Sequence, residues 1–309
     1  NTKFMNILNA IKDINRFLSF YTRKKRKYLR VNETMQRLYA WRKPIQPYAF
    51  IRVHNEIKTI DSCLKSILPV LKGGVIGFNS CTDGTKEYIL AFCKKYPQFT
   101  PAEYPYDVIP ASDFRYQNHI LDPDTRLDSY YNFVWSKLPK NEWIIKVDAD
   151  HIFHTEYIRD LCRLPLRKQD CVILNRINLH CHNGICYIDP DRPFFELGDS
   201  WLIFNDHCIP KFTFDRGWND GHFYAWETLT LPPRSRFIYG ILSNWHFPMV
   251  KSHRNTFNPD QWIKMQDFNF NDYITKMNMQ GRIPKDMIDE EKVLAAFNTF
   301  NLSGKPMLP

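Results

Sequence analysis

The chain has 309 residues, 44% hydrophobic and 24% charged, enough apolar material for one substantial core and too much for a chain disordered throughout. Its net charge of +9 is uneven: residues 1 to 47 carry twelve Lys/Arg against two Asp/Glu, so the remainder is near neutral, which argues against a body that binds nucleic acid. Eight cysteines without a CxxC pair exclude a disulfide scaffold and read as reduced thiols of a cytosolic protein.

Phe4, Ile7, Leu8, Ile11, Ile14, Leu18 and Tyr21 recur at three- and four-residue intervals, which predicts an amphipathic helix over residues 4 to 21. The run Arg23 to Lys27 follows. An apolar stripe joined to five cations is the pattern of an arm, residues 1 to 47, whose first 30 residues lie on an anionic membrane; the alternative is a helix packed on the body with a solvated basic tail. No run of about 18 apolar residues occurs, so nothing is expected to span a bilayer. The first residue is Asn1, which suggests a trimmed chain that a signal or anchor could have preceded.

Pro44 and Pro47 mark the join to a body over residues 48 to 309. There Tyr48 to Val53 reads as a strand, His54-Asn55-Glu56 as a turn, and Ile60 to Leu71 as a helix that Gly73-Gly74 ends as a C-cap. Val75 to Phe78 is a second strand, and the loop Asn79 to Thr85 leads to a helix through Phe92. Strand, helix, strand, helix at this spacing is a βαβ unit in an α/β fold with a mostly parallel sheet, whose ligands bind beyond the carboxyl ends of the strands. Residues 97 to 126 lack periodicity and read as irregular chain, and Leu127 to Leu138 as a helix.

Trp143 to Val147 is a short buried strand that ends in Asp148-Ala149-Asp150. Two hard oxygen donors at a strand's carboxyl end suit Mg²⁺ or Mn²⁺, and such an ion holds a diphosphate. Beyond it come a helix over 156 to 164 and a hairpin of strands 171 to 181 and 185 to 189 around Asn183-Gly184. A soft-metal site at His180-Cys181-His182 with Cys186 is the competing reading of that hairpin. A further strand lies within Phe195 to Asn205, with Asp199 near its start. Phe214 to Leu231, rich in Gly, Trp, His and acids, has the composition of an acceptor site, Ile238 to Phe247 reads as a strand, and the tail from Pro259 reads as helices, one near Asp286 to Phe300.

Phe50 to Glu56, Asn79-x-x-Thr-Asp-Gly-Thr85 and the Asp148-x-Asp150 strand together resemble the nucleotide-sugar half of inverting GT-A glycosyltransferases. Ser66 to Pro69, Gly74 to Gly77, Ile145-Lys146 with Asp148-x-Asp-His151, Gly198-Asp199, and His246-Phe-Pro248 through Lys251-x-His-Arg254 are similar to bacterial lipo-oligosaccharide β-1,4-N-acetylgalactosaminyltransferases. That resemblance implies a Rossmann-like GT-A domain with a nucleotide-sugar half (48 to 150), an acceptor half (151 to 255) and a helical tail (256 to 309). It implies transfer from UDP-GalNAc to a galactose, sialylated or not, ending a lipid-linked oligosaccharide, at the cytoplasmic face of a bacterial inner membrane. Asn79 stands where the broader pattern has aspartate, and an amide still hydrogen-bonds uracil.

On this reading Asp150 ligates the metal, Asp148 shares its coordination, and His246 is a third ligand whose imidazole favours Mn²⁺ over Mg²⁺. Uridine is expected against Ile51, Arg52 and Val53, with Glu56, Asn79 or Asp83, and with Lys146 and Ala149 beside the acidic motif. Glu56 and Asp83 also read as a helix-start residue and a turn former. Lys251, His253 and Arg254 are expected to clamp the diphosphate, or else to form an exposed basic turn. Inversion requires a carboxylate to take the acceptor proton: Glu227, at a helix start by the resemblance, is the first choice, then Asp199, then Asp220. Trp201, Trp218, Tyr224 or Trp226 is expected to stack on the acceptor sugar. The competing functions are a nucleotidyltransferase, which would carry a basic glycine-rich loop where His54-Asn55-Glu56 stands, and a non-catalytic glycan or membrane-surface protein. Oligomeric state is not legible.

Overall fold

The computed structural model describes residues 28–111, 113–116, 121–195, 199–206, 211–219, 222–232, 234–251, 254 and 257–309. The expected helix over 4 to 21, and His253 and Asp220, lie outside them. In chain order the strands and α-helices are β1 (Tyr28–Arg30), α1 (Glu33–Arg37), β2 (Tyr48–Val53), α2 (Ile60–Ile67), β3 (Gly73–Phe78), α3 (Thr85–Lys95), β4 (Phe99–Glu103), α4 (Leu127–Ser136), β5 (Trp143–Val147), β6 (His151–Phe153) and α5 (Thr155–Leu161). Then come β7 (Asp170–His182), β8 (Ile185–Ile188), β9 (Phe194–Phe195), β10 (Trp201–Phe204), β11 (Phe212–Asn219), β12 (His222–Leu229), β13 (Arg236–His246), β14 (Ile263–Lys264), α6 (Phe270–Lys276) and α7 (Glu290–Phe297).

The main sheet has the order β1-β13-β7-β10-β5-β2-β3-β4. Neighbours are parallel except at β10, which runs antiparallel to both β5 and β7. The fold is therefore the mixed α/β, mostly parallel sheet flanked by helices that the βαβ pattern predicts.

Period-two alternation divides the strands between two faces. Ala49, Ile51, Ile76, Phe78, Ile145 and Val147 pack with Ile60, Leu64 and Ile67 of α2 and Tyr88, Ile89 and Phe92 of α3. The intervening Phe50, Val75 and Ile144 pack with Tyr130, Tyr131, Val134 and Trp135 of α4. Helix α4 lies so close to β3 that a Cβ on Gly77 would sit 2.2 Å from Val134 Cγ2. A third cluster joins Ile177, Leu179, Trp245 and Phe247 to Val293, Ala296 and Phe297 of α7, a helix that Asp289 caps through the N–H groups of Glu291 and Lys292.

The structure departs from the expected elements at several points. Helix α2 stops at Ile67 and a 3₁₀ turn continues to Val70, because Pro69 cannot donate into an α-helical ladder. Gly73 and Gly74 are not a C-cap but the start of β3; side chains there would strike Gln98 O at 2.3 Å and Ala49 O at 2.8 Å. The stretch read as irregular contains β4, whose Pro101 is tolerated because the strand pairs on one side only. The described end of the basic arm is part of the body: Tyr28–Arg30 pairs with β13, and Leu29, Val31, Met35 and Tyr39 are buried in the core. Glu227 lies in strand β12, paired with Phe214 of β11, and not at a helix start.

Candidate active site

Strands β2, β3 and β5 run parallel, so Val53, Phe78 and Val147 end at one edge of the sheet. Beyond it lies a cavity of about 420 Å³ bordered by Arg52, Val53, Asn79, Tyr130, Tyr131 and Asp148, with His54, Glu56 and Lys251 at its wall. Asn79 is buried at the end of β3, and its carbonyl accepts from His54 Nδ1 at 2.8 Å. Ile51 is sealed within the ladders to β3 and β5, so only Val53 of that pair reaches the cavity.

The two acids of the Asp148-Ala149-Asp150 turn enter different networks. Asp148 accepts from Arg52 Nη2 at 2.6 Å and from Lys146 Nζ at 2.8 Å. Burial pushes its carboxyl up, but Lys146 and Arg52 outweigh burial and hold it at about 2. The Arg52 guanidinium stacks 3.8 Å from the centre of the Tyr131 ring. Lys146 also donates to Asp199 at 2.7 Å, and Asp199 accepts from Arg176 at 2.5 Å. Asp199 is thus a carboxylate between two cations, held well below its usual range by Lys146 first and Arg176 next, against the opposing effect of burial.

Asp150 is 2% exposed. Its Oδ2 lies 3.0 Å from His246 Nε2 and 3.2 Å from Lys251 Nζ, and Lys251 Nζ reaches Glu56 Oε1 at 3.1 Å. Burial opposes ionisation of Asp150, yet Lys251 and His246 hold it well below the usual carboxylate range. Antiparallel pairing of β6 with β13 sets His151 opposite His246. Ligand atoms of Asp150, His151 and His246 all lie within 4.8 Å of one another.

The proton positions of this trio fit a cation. Asn178 Nδ2 donates to Arg192 O at 2.5 Å, which turns Asn178 Oδ1 toward His246 Nδ1 at 2.6 Å. Nδ1 must then carry the proton, which leaves the Nε2 lone pair of the neutral ring facing the Asp150 carboxylate. Two acceptors at 3.0 Å are compatible with a positive charge beside them, and Lys251 Nζ, 3.2 Å from the same Asp150 oxygen, supplies one in this structure. Burial lowers both imidazoles, His151 well below its usual range, which favours the neutral rings that a metal site would require. His151 Nε2 is buried without a hydrogen-bond partner, as is Asn244 Oδ1. Asn244 Nδ2 lies 3.2 Å from His151 Nδ1; turning that amide over lets Oδ1 accept from Nδ1–H and frees the Nε2 lone pair. The donor set of one carboxylate and two imidazoles suits Mn²⁺ better than Mg²⁺.

Of the other expected site residues, Asp83 is committed to the turn. Its carboxylate accepts from Ile57 N at 3.1 Å, Thr85 N at 3.0 Å and Thr85 Oγ1 at 2.6 Å. Glu56 keeps a structural bond, from Thr59 Oγ1 at 3.0 Å, besides its pairing with Lys251. Ala149 is buried between the two acids, and Arg254 is exposed, its N–H donating to Lys251 O at 3.1 Å. Glu227 is half-buried, and its charge acts on Arg52, Lys146 and Tyr131. Trp218 shares its face of the β11–β12 hairpin and is 66% exposed, whereas Trp201 is buried in the core and unavailable for stacking.

Sequence reasoning did not single out His151 as a candidate ligand, although it directly follows Asp150. It missed Asn178, Arg176, Tyr130 and Tyr131 because only the fold brings them to the site. The soft-metal reading is corrected: the metal-competent group found among the described residues is Asp150, His151 and His246, and His180 and His182 alternate with Cys181 along β7.

A mostly parallel sheet flanked by helices, with acids, imidazoles and cations beside a cavity of about 420 Å³ at its carboxyl edge, is consistent with a GT-A-like fold. The comparison with known families is more specific. The family described as beta-1,4-N-acetylgalactosaminyltransferase (CgtA) matches residues 22–301, and the chain belongs to that family. It is an N-acetylgalactosaminyltransferase, with a nucleotide-sugar donor and an oligosaccharide acceptor. No curated protein matches the chain.

Proposed function

We propose that the enzyme transfers GalNAc from UDP-GalNAc, with inversion, to a terminal galactose of a lipid-linked oligosaccharide, sialylated or not, forming a β-1,4 linkage with the help of a divalent ion, Mn²⁺ in preference to Mg²⁺. The observation that carries this reading is the convergence of Asp150, His151 and His246 with Lys251 beside the cavity at the ends of β2, β3 and β5. Bound there, the ion would neutralise charge building on the departing diphosphate. Lys251 adds a cation that its acidic neighbours keep protonated: burial opposes the charge, and Asp150 and Glu56 outweigh it. Arg52, with Tyr130 and Tyr131, borders the space for uridine, and Asn79 offers it an amide.

Glu227 takes the proton from the acceptor hydroxyl. It is preferred to Asp199 because two cations make Asp199 a poor proton acceptor, while Glu227 makes no ion pair among the described residues and shares its strand face with exposed Trp218. The aromatic ring supplies an apolar platform for a sugar. The part of the basic arm that precedes β1, residues 1 to 27, holds the enzyme on the anionic cytoplasmic surface of the inner membrane by its charge; among the described residues no helix is long and apolar enough to cross a bilayer. Incubation with UDP-GalNAc, Mn²⁺ and a lactose-terminated acceptor tests the whole reading. Release of UDP with a β-linked GalNAc on galactose supports it, and turnover of another UDP-sugar in its place refutes the donor assignment.

A further inference from the structure

Cys181 and Cys186 stand directly opposite each other on β7 and β8, next to the pair His182 and Ile185 that flanks the turn. The turn residues Asn183 and Gly184 both have positive φ, at 51° and 77°, as a two-residue hairpin of the primed type requires. In such a hairpin the flanking pair exchanges backbone hydrogen bonds, so the next pair is a non-hydrogen-bonded one, with its Cα atoms near 4.5 Å and its side chains close. The backbone agrees: Cys186 N–H points outward and donates to Glu290 Oε1 of α7 at 3.1 Å. The two Sγ atoms are 2.6 Å apart, and both residues are buried, at 3% and 0% exposure. A Cα spacing near 4.5 Å lies within the range that a disulfide spans.

We infer that Cys181 and Cys186 are a redox-active dithiol that closes into a cross-strand disulfide across the β7–β8 hairpin. Cys181 is the entry point, because it borders a surface cavity of about 410 Å³ between the hairpin, Met249-Val250 and α7, whereas Cys186 is fully enclosed. The Cys186 sulfur and burial push the Cys181 thiol up, so with a small disulfide such as oxidised glutathione the Cys181 sulfur gives up its proton as it attacks one sulfur, and that proton ends on the glutathione thiolate released. The Cys186 thiolate then attacks Cys181 Sγ in the mixed disulfide and releases the second. Two electrons and two protons leave the protein, and the oxidant is reduced to two thiols. The bond would pin the hairpin end to which β14 and α7 attach.

The test uses the native protein, incubated with reduced or oxidised glutathione, alkylated with iodoacetamide after denaturation, and mapped by peptide mass. After oxidation the peptide containing both residues should carry no alkyl group and be lighter by two hydrogens, and a phosphine reductant should restore two alkyl groups. Retention of both alkyl groups after oxidation, or a stable glutathione adduct on Cys181, overturns the inference. A second readout is the thermal midpoint: it should rise on oxidation in the wild type and not in the Cys181→Ser/Cys186→Ser double variant. An equal rise in both would place the redox chemistry at other cysteines.

Discussion

The choice between Glu227 and Asp199 as proton acceptor can be decided by two isosteric substitutions. Glu227→Gln removes the basic oxygen without changing volume, and Glu227 lies outside the residues that border the donor cavity. A positioned base contributes about 10²- to 10⁴-fold to rate, which is about 3 to 5 kcal/mol in the barrier at ~1.4 kcal/mol per tenfold. kcat should therefore fall about 10²- to 10⁴-fold while the affinity for UDP stays within about twofold, since no donor contact is lost. Asp199→Asn acts differently. It withdraws the charge that faces Lys146 at 2.7 Å and Arg176 at 2.5 Å, two side chains only 5% and 12% exposed. Asp199 itself is 39% exposed and Lys146 keeps Asp148, so solvent softens the loss to about 1 to 2 kcal/mol of stability. Steady-state kinetics with a lactose-terminated acceptor, UDP titration and urea unfolding of both variants separate the effects. If Asp199→Asn lost the hundredfold or more while Glu227→Gln kept near-wild-type kcat, the assignment of the base would be refuted.

Arg52→Met should destabilise the fold by about 3 kcal/mol in urea unfolding, because the partly buried Asp148 loses one of its two cations and the Tyr131 ring its guanidinium; a change below about 0.5 kcal/mol would contradict the pairing. Gly77→Ala should cost about 1 to 3 kcal/mol by driving a Cβ against Val134, and Val134→Ala in the same chain should recover part of the loss; strict additivity would argue against that contact. His180 is buried, and burial, with His182 adding to it, lowers its imidazole to about 4. The unfolded chain therefore takes up a proton first as pH falls below about 6.5, so stability is full at neutral pH and is lost between about 6.5 and 4, by about 3 kcal/mol at most. His180→Phe should flatten that part of the stability profile, and an unchanged slope would place the proton uptake elsewhere.

The first βαβ segment was legible because Ile60, Leu64 and Ile67 keep helical spacing between two short apolar runs, and the β7–β8 hairpin because Asn183-Gly184 admits little else. Strand β4 was hidden by Pro101, a residue that only an unpaired strand side accepts. The β11–β12 hairpin was hidden because its outer face carries polar and aromatic residues that no core explains. Asp148 and Asp150 were readable as a pair, but not their division between an Arg-Lys network and a His-His site, which depends on β13 bringing His246 back beside β6. Likewise Asn178 and Arg176 act through strand register, and spacing along one chain does not encode which strands become neighbours.

Manganese binding tests the central claim most directly, measured by electron paramagnetic resonance on the purified enzyme with and without UDP. The account predicts one bound ion per chain in the wild type, binding abolished in Asp150→Ala and in His151→Ala, and affinity lowered about 10- to 100-fold in Asn178→Ala, which only orients His246. Undiminished binding in Asp150→Ala and His151→Ala would contradict the account, since the ion would then be held by residues other than the group at the end of β5.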